Sequence, residues 1–166
     1  EYNDSAIRAL SDKETVRLRP FVYISEEIPM QQMITEIIDN ALDECMNGFS
    51  DSVEIDISTK DYKIRVTDHG RGLPQGINAQ TGLPTARIVC DTLSAGGKFN
   101  QDVYATGSGL HGMGLSVVQF LSKEFYVRTW RDGNELFLTF KDGDFVSLDK
   151  NDITKFYEIA ANTPAL

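Results

Sequence analysis

The chain has 166 residues, 41% of them hydrophobic and 25% charged, with a formal net charge of −9. That length suffices for one domain with its own core, and the acidic balance argues against this piece being a DNA-gripping surface by itself. No run is long enough to span a bilayer, and the two cysteines, Cys45 and Cys90, sit far apart in apolar stretches, which predicts reduced, buried thiols in a cytoplasmic protein.

The chain opens on Glu1 rather than Met, carries no secretory signal there, and is expected to be a piece of a longer protein. In "EYNDSAIRAL", Asn3, Asp4 and Ser5 are candidate caps ahead of a short helix. A second short helix fits "SDKETVRLR", stopped by Pro20. A long helix is expected from Pro29 to Asn47, with proline in its first turn and Gly48 after its end. Its core stripe reads Met30, Ile34, Ile37, Ala41 and Cys45.

"SVEIDIS" and "YKIRVTD" alternate apolar and polar residues, as half-buried strands do. "HGRGLPQGINAQTG" reads as loop and "PTARIVCDTL" as helix. "SAGGKFNQDVYATGSG", residues 94–109, reads as a long mobile loop closed by a helix over residues 110–122. "EFYVRTWRDG" and "NELFLTFKDGDFVSL" read as a hairpin with Asp-Gly turns. Strands covered on one side by helices make an α+β sandwich, not the strand–helix alternation of a doubly wound sheet.

Gly107-x-Gly109-x-x-Gly112 matches the dinucleotide fingerprint, but its context does not fit. That fingerprint needs a strand directly before its first glycine. Here "GGKFNQDVYAT" precedes it, polar and turn-prone. The glycines run instead into the apolar "LSVVQFL", so backbone N–H groups and the helix dipole would face an anion there.

Along the long helix, Glu36, Asn40, Asp43 and Glu44 fall at i, i+4, i+7 and i+8 on a second stripe. Alone, such a stripe reads as a solvated acidic face. Its chemical reading is a carboxylate that activates water, one turn from an amide oxygen able to sit on Mg²⁺. In "VTDHGRGLP" a strand ends at Asp68 and turns through Gly70 and Gly72. An aspartate capping a glycine turn is common. The same geometry lets Asp68 accept from an exocyclic amine while glycine backbone approaches a flat purine. His69 reads as a loop residue rather than a base. In "SAGGKF", Lys98 after Gly96-Gly97 is a mobile cation able to meet a terminal phosphate.

Taken in order, Glu-x-x-x-Asn, Asp-x-Gly-x-Gly, Gly-Gly-Lys and a glycine lid resemble the motif series of the GHKL ATPases. "EIIDNALDE", "DHGRGLP", "AGGKF" and "GLHGMGLSVV" closely resemble the ATPase domains of bacterial type II topoisomerase B subunits, those of gyrase and topoisomerase IV. The likeness runs from "YNDSAI" to "RDG", and "YNDSAI" with "DHGRG" leans to topoisomerase IV.

The resemblance implies a single N-terminal GHKL ATPase domain over residues 1–166. Its fold would be a two-layer Bergerat sandwich, a mixed, mostly antiparallel sheet under helices, with an ATP lid over 94–109. Glu36 would be the general base, Asn40 the Mg²⁺ ligand, and Lys98 a catalytic lid cation. Asp68 would take the adenine amine, with Gly72 and Pro74 lining that pocket. Asp43, Glu44 and Arg71 would wall adenine and ribose, Glu44 pairing with Arg71, and Arg131 would stand at the pocket mouth that inhibitors exploit. Gly96, Gly97 and Tyr104 would belong to the lid, while Gly109, Leu110, His111, Gly112, Met113 and Gly114 would cradle the phosphates. Residues 1–10 would form an arm wrapping a second copy when ATP closes the dimer. An A-type cleavage subunit would be the partner, with DNA bound through other domains.

Three departures stand out. The family's Arg-Pro-Gly-Met-Tyr is Arg19-Pro-Phe-Val-Tyr23 here, its Ser-Gly-Gly is Gly107-Ser108-Gly109, and the likeness fades after Leu148. The transducer domain that would follow is expected to lie outside this chain, so the piece should bind ATP, turn it over poorly and stay mostly monomeric. Other functions compatible with the motifs are a GHKL module of a mismatch-repair or chaperone clamp, and a nucleotide-binding domain with no catalytic use for Glu36.

Overall fold

The computed structural model describes residues 9–93 and 114–150, and the backbone of 151 and 156–160. The expected caps Asn3, Asp4 and Ser5, most of the arm, the lid and the glycine run as far as Met113 lie outside the described residues.

Helix α1 (Asp12–Leu18) begins at a reciprocal cap: Ser11 Oγ accepts from Glu14 N–H at 3.2 Å, and Ser11 N–H donates to Glu14 Oε2 at 3.0 Å. A short 3₁₀ turn (Pro20–Val22) follows, in the stretch that departs from the family pattern. Helix α2 (Pro29–Met46) has proline at its start, where a missing N–H costs nothing. Strands β1 (Val53–Ser58) and β2 (Lys63–Asp68) form an antiparallel hairpin. Then come α3 (Thr85–Asp91), α4 (Gly114–Leu121), and strands β3 (Glu124–Arg131), β4 (Asn134–Lys141), β5 (Asp144–Asn151) and β6 (Phe156–Ala160).

The single expected hairpin is a three-stranded meander, β3–β4–β5. Its two Asp-Gly turns hold positive φ at Asp132 and Asp142, the backbone that matches strand twist in tight hairpins. The sheet runs β1-β2-β6-β3-β4-β5, and every described pairing in it is antiparallel. Strand β6 joins the hairpin to the meander, pairing with both β2 and β3.

Helices cover one face of the sheet. Helix α2 lies on β2 and β1, and α4 packs among α1, α2 and α3. Residues 115–121 of α4 are all buried, so this is the central helix of the layer. Phe125, Val127, Leu136, Leu138 and Phe140 join the same buried core from the sheet, the regular inward set of period two. On α2 the buried line is Met33, Ile37 and Ala41, with Met30 and Ile34 only partly buried beside it. The expected stripe is therefore centred one position away, on Met33, and Cys45 at its end is half-buried. Cys90 is fully buried, and that burial pushes its thiol well above the usual range, so it stays protonated.

Helix α3 carries an internal ion pair, and charged side chains link it and Leu93 just beyond it to β5 and α1. Arg87 Nε reaches Asp91 Oδ2 at 3.3 Å and lies over the Phe145 ring, while Asp12 Oδ2 accepts from Leu93 N–H at 2.9 Å. Burial raises the Asp91 carboxyl above its ordinary 3.8, Arg87 opposes this, and Asp144 and Asp12 add to it. Stability from this group is complete below the unfolded value and is lost as pH rises through the raised folded one. Carboxyl-carbon NMR titration should place Asp91 above exposed aspartates, and Arg87→Gln should move it higher still. A midpoint at the exposed value would overturn this.

Candidate functional site

The loop after β2 carries the most constrained geometry in the described chain. Asp68, the last residue of β2, is 1% exposed at the end of that strand's buried half. From there four backbone N–H groups donate to side-chain oxygens rather than to other backbone. His69 N–H donates to Ser50 Oγ at 3.0 Å and Gly70 N–H to Asp68 Oδ1 at 2.7 Å. Arg71 N–H donates to Glu44 Oε2 at 2.7 Å and Leu73 N–H to Thr129 Oγ1 at 2.7 Å.

Glu44 reaches this loop from the last turn of α2 and also receives the Arg71 guanidinium, Nη2 to Oε1 at 2.7 Å and Nε to Oε2 at 3.3 Å. That two-point pairing fixes the plane of the guanidinium, which also stacks on Phe49 at 3.9 Å. Gly70 is required by this approach, since a Cβ there would run into the Glu44 side chain. Gly72 has φ +74° and abuts the Trp130 carbonyl of β3, leaving no room for a Cβ. Pro74 follows, half-buried, and Gln75 Nε2 donates to Asn134 O at 2.6 Å. The result is a rigid backbone floor between α2 and the β3–β4 turn.

A second group of residues lies one to two turns back along α2. Glu36 is half-buried, and a Cβ built on Gly114 would lie 3.9 Å from its Oε2. The carboxylate therefore stands beside the residue at which the glycine run enters α4. Asn40 is exposed, and its Nδ2 donates to the Glu36 carbonyl at 2.9 Å, which leaves Oδ1 as the atom for a hard cation. Among the described residues no three His, Cys, Asp or Glu side chains are grouped to hold a metal ion.

Asp43 precedes Glu44 on α2 and is half-buried. Arg131 follows Trp130, placing it at the side of the Gly72 floor, with its Nε 3.8 Å from Asp132. His69 is exposed, with Nε2 3.7 Å from Glu54. The structure thus brings Glu44 of α2 against the stretch from Asp68 to Gly72 that carries Arg71, and sets Glu36 and Gly114 together. Gly96, Gly97, Lys98, Tyr104, Gly109, Leu110, His111, Gly112 and Met113 lie outside the described residues.

Two residues of this site escape the sequence reading, Ser50 and Thr129. Thr129 does leave a signal: it takes the inward place after Phe125 and Val127 on β3, where a hydroxyl needs a partner.

A family described as histidine kinase-, DNA gyrase B- and HSP90-like ATPase matches residues 25–151. The chain is 44% identical over 145 residues to the B subunit of DNA topoisomerase 4 from Enterococcus faecalis, covering 86% of this chain and 21% of that protein. It is 43% identical over 148 residues to the B subunit of the type 2 topoisomerase from Aquifex aeolicus, covering 88% and 19%. Among solved structures, the 43K ATPase domain of Thermus thermophilus gyrase B, in complex with an aminocoumarin, matches with a TM-score of 0.73 and 25% identity. That match covers 95% of this chain and 41% of the other. The chain thus spans about a fifth of the length of these curated relatives.

Proposed function

Since the chain belongs to the histidine kinase-, DNA gyrase B- and HSP90-like ATPase family, we propose that it is the ATP-binding and hydrolysing gate module of a type II DNA topoisomerase, within the B-type polypeptide. Adenine would lie on the floor made by residues 68–73, its exocyclic amine donating to Asp68. Glu44 and Arg71 would wall it, with Asp43, Pro74 and Arg131 at the margins. Glu36 would act as general base on the water that attacks the terminal phosphate. The observation that carries this reading is the approach of Glu36 to Gly114, which brings a carboxylate to the N-terminus of the central helix.

Asn40 would hold Mg²⁺, which supplies charge neutralisation on the phosphate oxygens when bound. In the lid, Lys98 would meet the terminal phosphate, with Gly96, Gly97 and Tyr104 around it, and the backbone of 109–114 would cradle the triphosphate. ATP binding would close a dimer of two copies through the arm. DNA and an A-type cleavage subunit would engage other parts of a longer cytoplasmic protein, and ATP-site inhibitors of the aminocoumarin kind would compete at the floor. The named relatives are B subunits of type II topoisomerases, which favours this reading over a mismatch-repair or chaperone clamp.

Two measurements test the proposal together. The full-length protein reconstituted with its cleavage subunit should relax, supercoil or decatenate DNA only with ATP, and ATP binding without strand passage would overturn the topoisomerase reading. The isolated chain should bind ATP but hydrolyse it slowly as a monomer, and turnover at the full-length rate would overturn the expected dependence on the rest of the protein.

A further inference from the structure

We propose that Ser50 and Thr129 are positioning residues that set the shape, and through it the base preference, of the nucleotide floor; this rests on the ATP-site reading above. Among the described residues, the floor has no strand partner of its own over 69–73. Its path is set instead by oxygens from three other elements: Ser50 after α2, Glu44 on α2 and Thr129 on β3. Glu44 is already placed in the pocket wall. The two hydroxyls have no other assigned role and are nearly closed to solvent, Ser50 at 7% and Thr129 at 1% exposure.

They act at the two ends of the floor. Ser50 Oγ accepts from His69 N–H, the residue after Asp68, and donates onward to Ser52 O at 2.9 Å. That oxygen therefore both receives and gives a hydrogen bond, which fixes its rotamer. Thr129 Oγ1 accepts from Leu73 N–H, the residue after Gly72, and lies 3.0 Å from the site a Gly72 Cβ would occupy. One hydroxyl thus sets where Asp68 stands, and the other sets how closely Gly72 backbone presses on the Trp130 carbonyl. A purine read by one carboxylate edge and one backbone face depends on both positions. Glu36, two turns back along α2 from Glu44, and Gly114, at the start of α4, lie outside the 69–73 floor that the two hydroxyls hold.

Thr129→Val keeps the side-chain shape and removes the acceptor, leaving the Leu73 N–H without its partner. It should weaken ATP binding about tenfold, equivalent to about 1.4 kcal/mol. It should also narrow the preference for ATP over ITP, whose hypoxanthine lacks the exocyclic amine. Thr129→Ser, which retains the oxygen, should restore both, and Ser50→Ala should repeat the Thr129→Val pattern. Amide hydrogen exchange on the unmodified protein supplies a readout that needs no variant: His69 and Leu73 should be protected before any nucleotide is added.

Wild-type affinity and ATP/ITP ratio in Thr129→Val would overturn the inference, as would unprotected His69 and Leu73 amides. Thr129→Ser behaving like Thr129→Val would also overturn it. Absence of ATP binding by the unmodified protein would instead sink the functional reading beneath it.

Discussion

Replacing Glu36 with glutamine in the full-length protein should lower ATP turnover about a hundredfold to ten-thousandfold, the usual contribution of a positioned general base, while ATP binding persists. The substitution keeps the shape of a half-buried side chain on α2 and removes only its ability to take a proton. Packing should hardly change, because the buried line of the helix is Met33, Ile37 and Ala41, on a different face. Affinity should hold because the proposed adenine floor is built by residues 68–73, Glu44, Ser50 and Thr129. Single-turnover hydrolysis beside equilibrium ATP titration separates the two quantities. A Glu36→Gln protein that turns over ATP at the parent rate would remove the base assignment. It would also favour a domain that binds nucleotide without using that carboxylate.

Gly72→Ala should be the most damaging single methyl in the described chain. Its φ of +74° costs an L-residue about 1–2 kcal/mol. The new Cβ would also collide with the Trp130 carbonyl, which belongs to a paired strand and cannot retreat without breaking ladder bonds. Gly48→Ala separates the two effects: φ there is +78°, but nothing lies within 4 Å of the new Cβ. Thermal unfolding should therefore show a modest loss for Gly48→Ala and a larger one for Gly72→Ala. Only the second should also cost ATP affinity, by tenfold or more, which is about 1.4 kcal/mol at least. Equal losses in the two variants would show that the approach to Trp130 carries no weight.

The parts of the fold legible in the sequence are those whose cause is local. Alternation in "SVEIDIS" and "YKIRVTD" marks β1 and β2, Pro29 and Gly48 bracket α2, and the Asp-Gly pairs mark both turns of the meander. Periodicity places an apolar face to within a position. It points to Ile37 and Ala41 but not to Met33, because the choice between adjacent stripes is made by what packs on them. Alternation also overstates burial at a sheet edge. Ile55 and Ile57 stand opposite buried Val66 and Ile64, yet they are 45% and 61% exposed on the outermost strand.

The site divides in the same way. Asp68, Gly70 and Gly72 announce themselves because glycine in a tight path has few other reasons to be there. Ser50 does not, since it meets the floor across 19 residues of chain and a lone hydroxyl carries no spacing signal, while Thr129, 56 residues away, shows only as a hydroxyl at an inward strand place. Strand β6 is hidden for a related reason: it is five residues long, and its partners β2 and β3 lie far back in the chain.

That central position of β6 has a consequence for the order of synthesis. As the chain leaves the ribosome, the β1–β2 hairpin and the β3–β4–β5 meander emerge first, each able to close through near neighbours. The two sheet halves have no shared ladder until residues 156–160 arrive to fill the gap between them. Two open inner edges, along β2 and β3, therefore wait for a strand made after both, and they are the places where a nascent chain could pair with the wrong neighbour. Helix α4, buried along its length in the finished layer, waits with them.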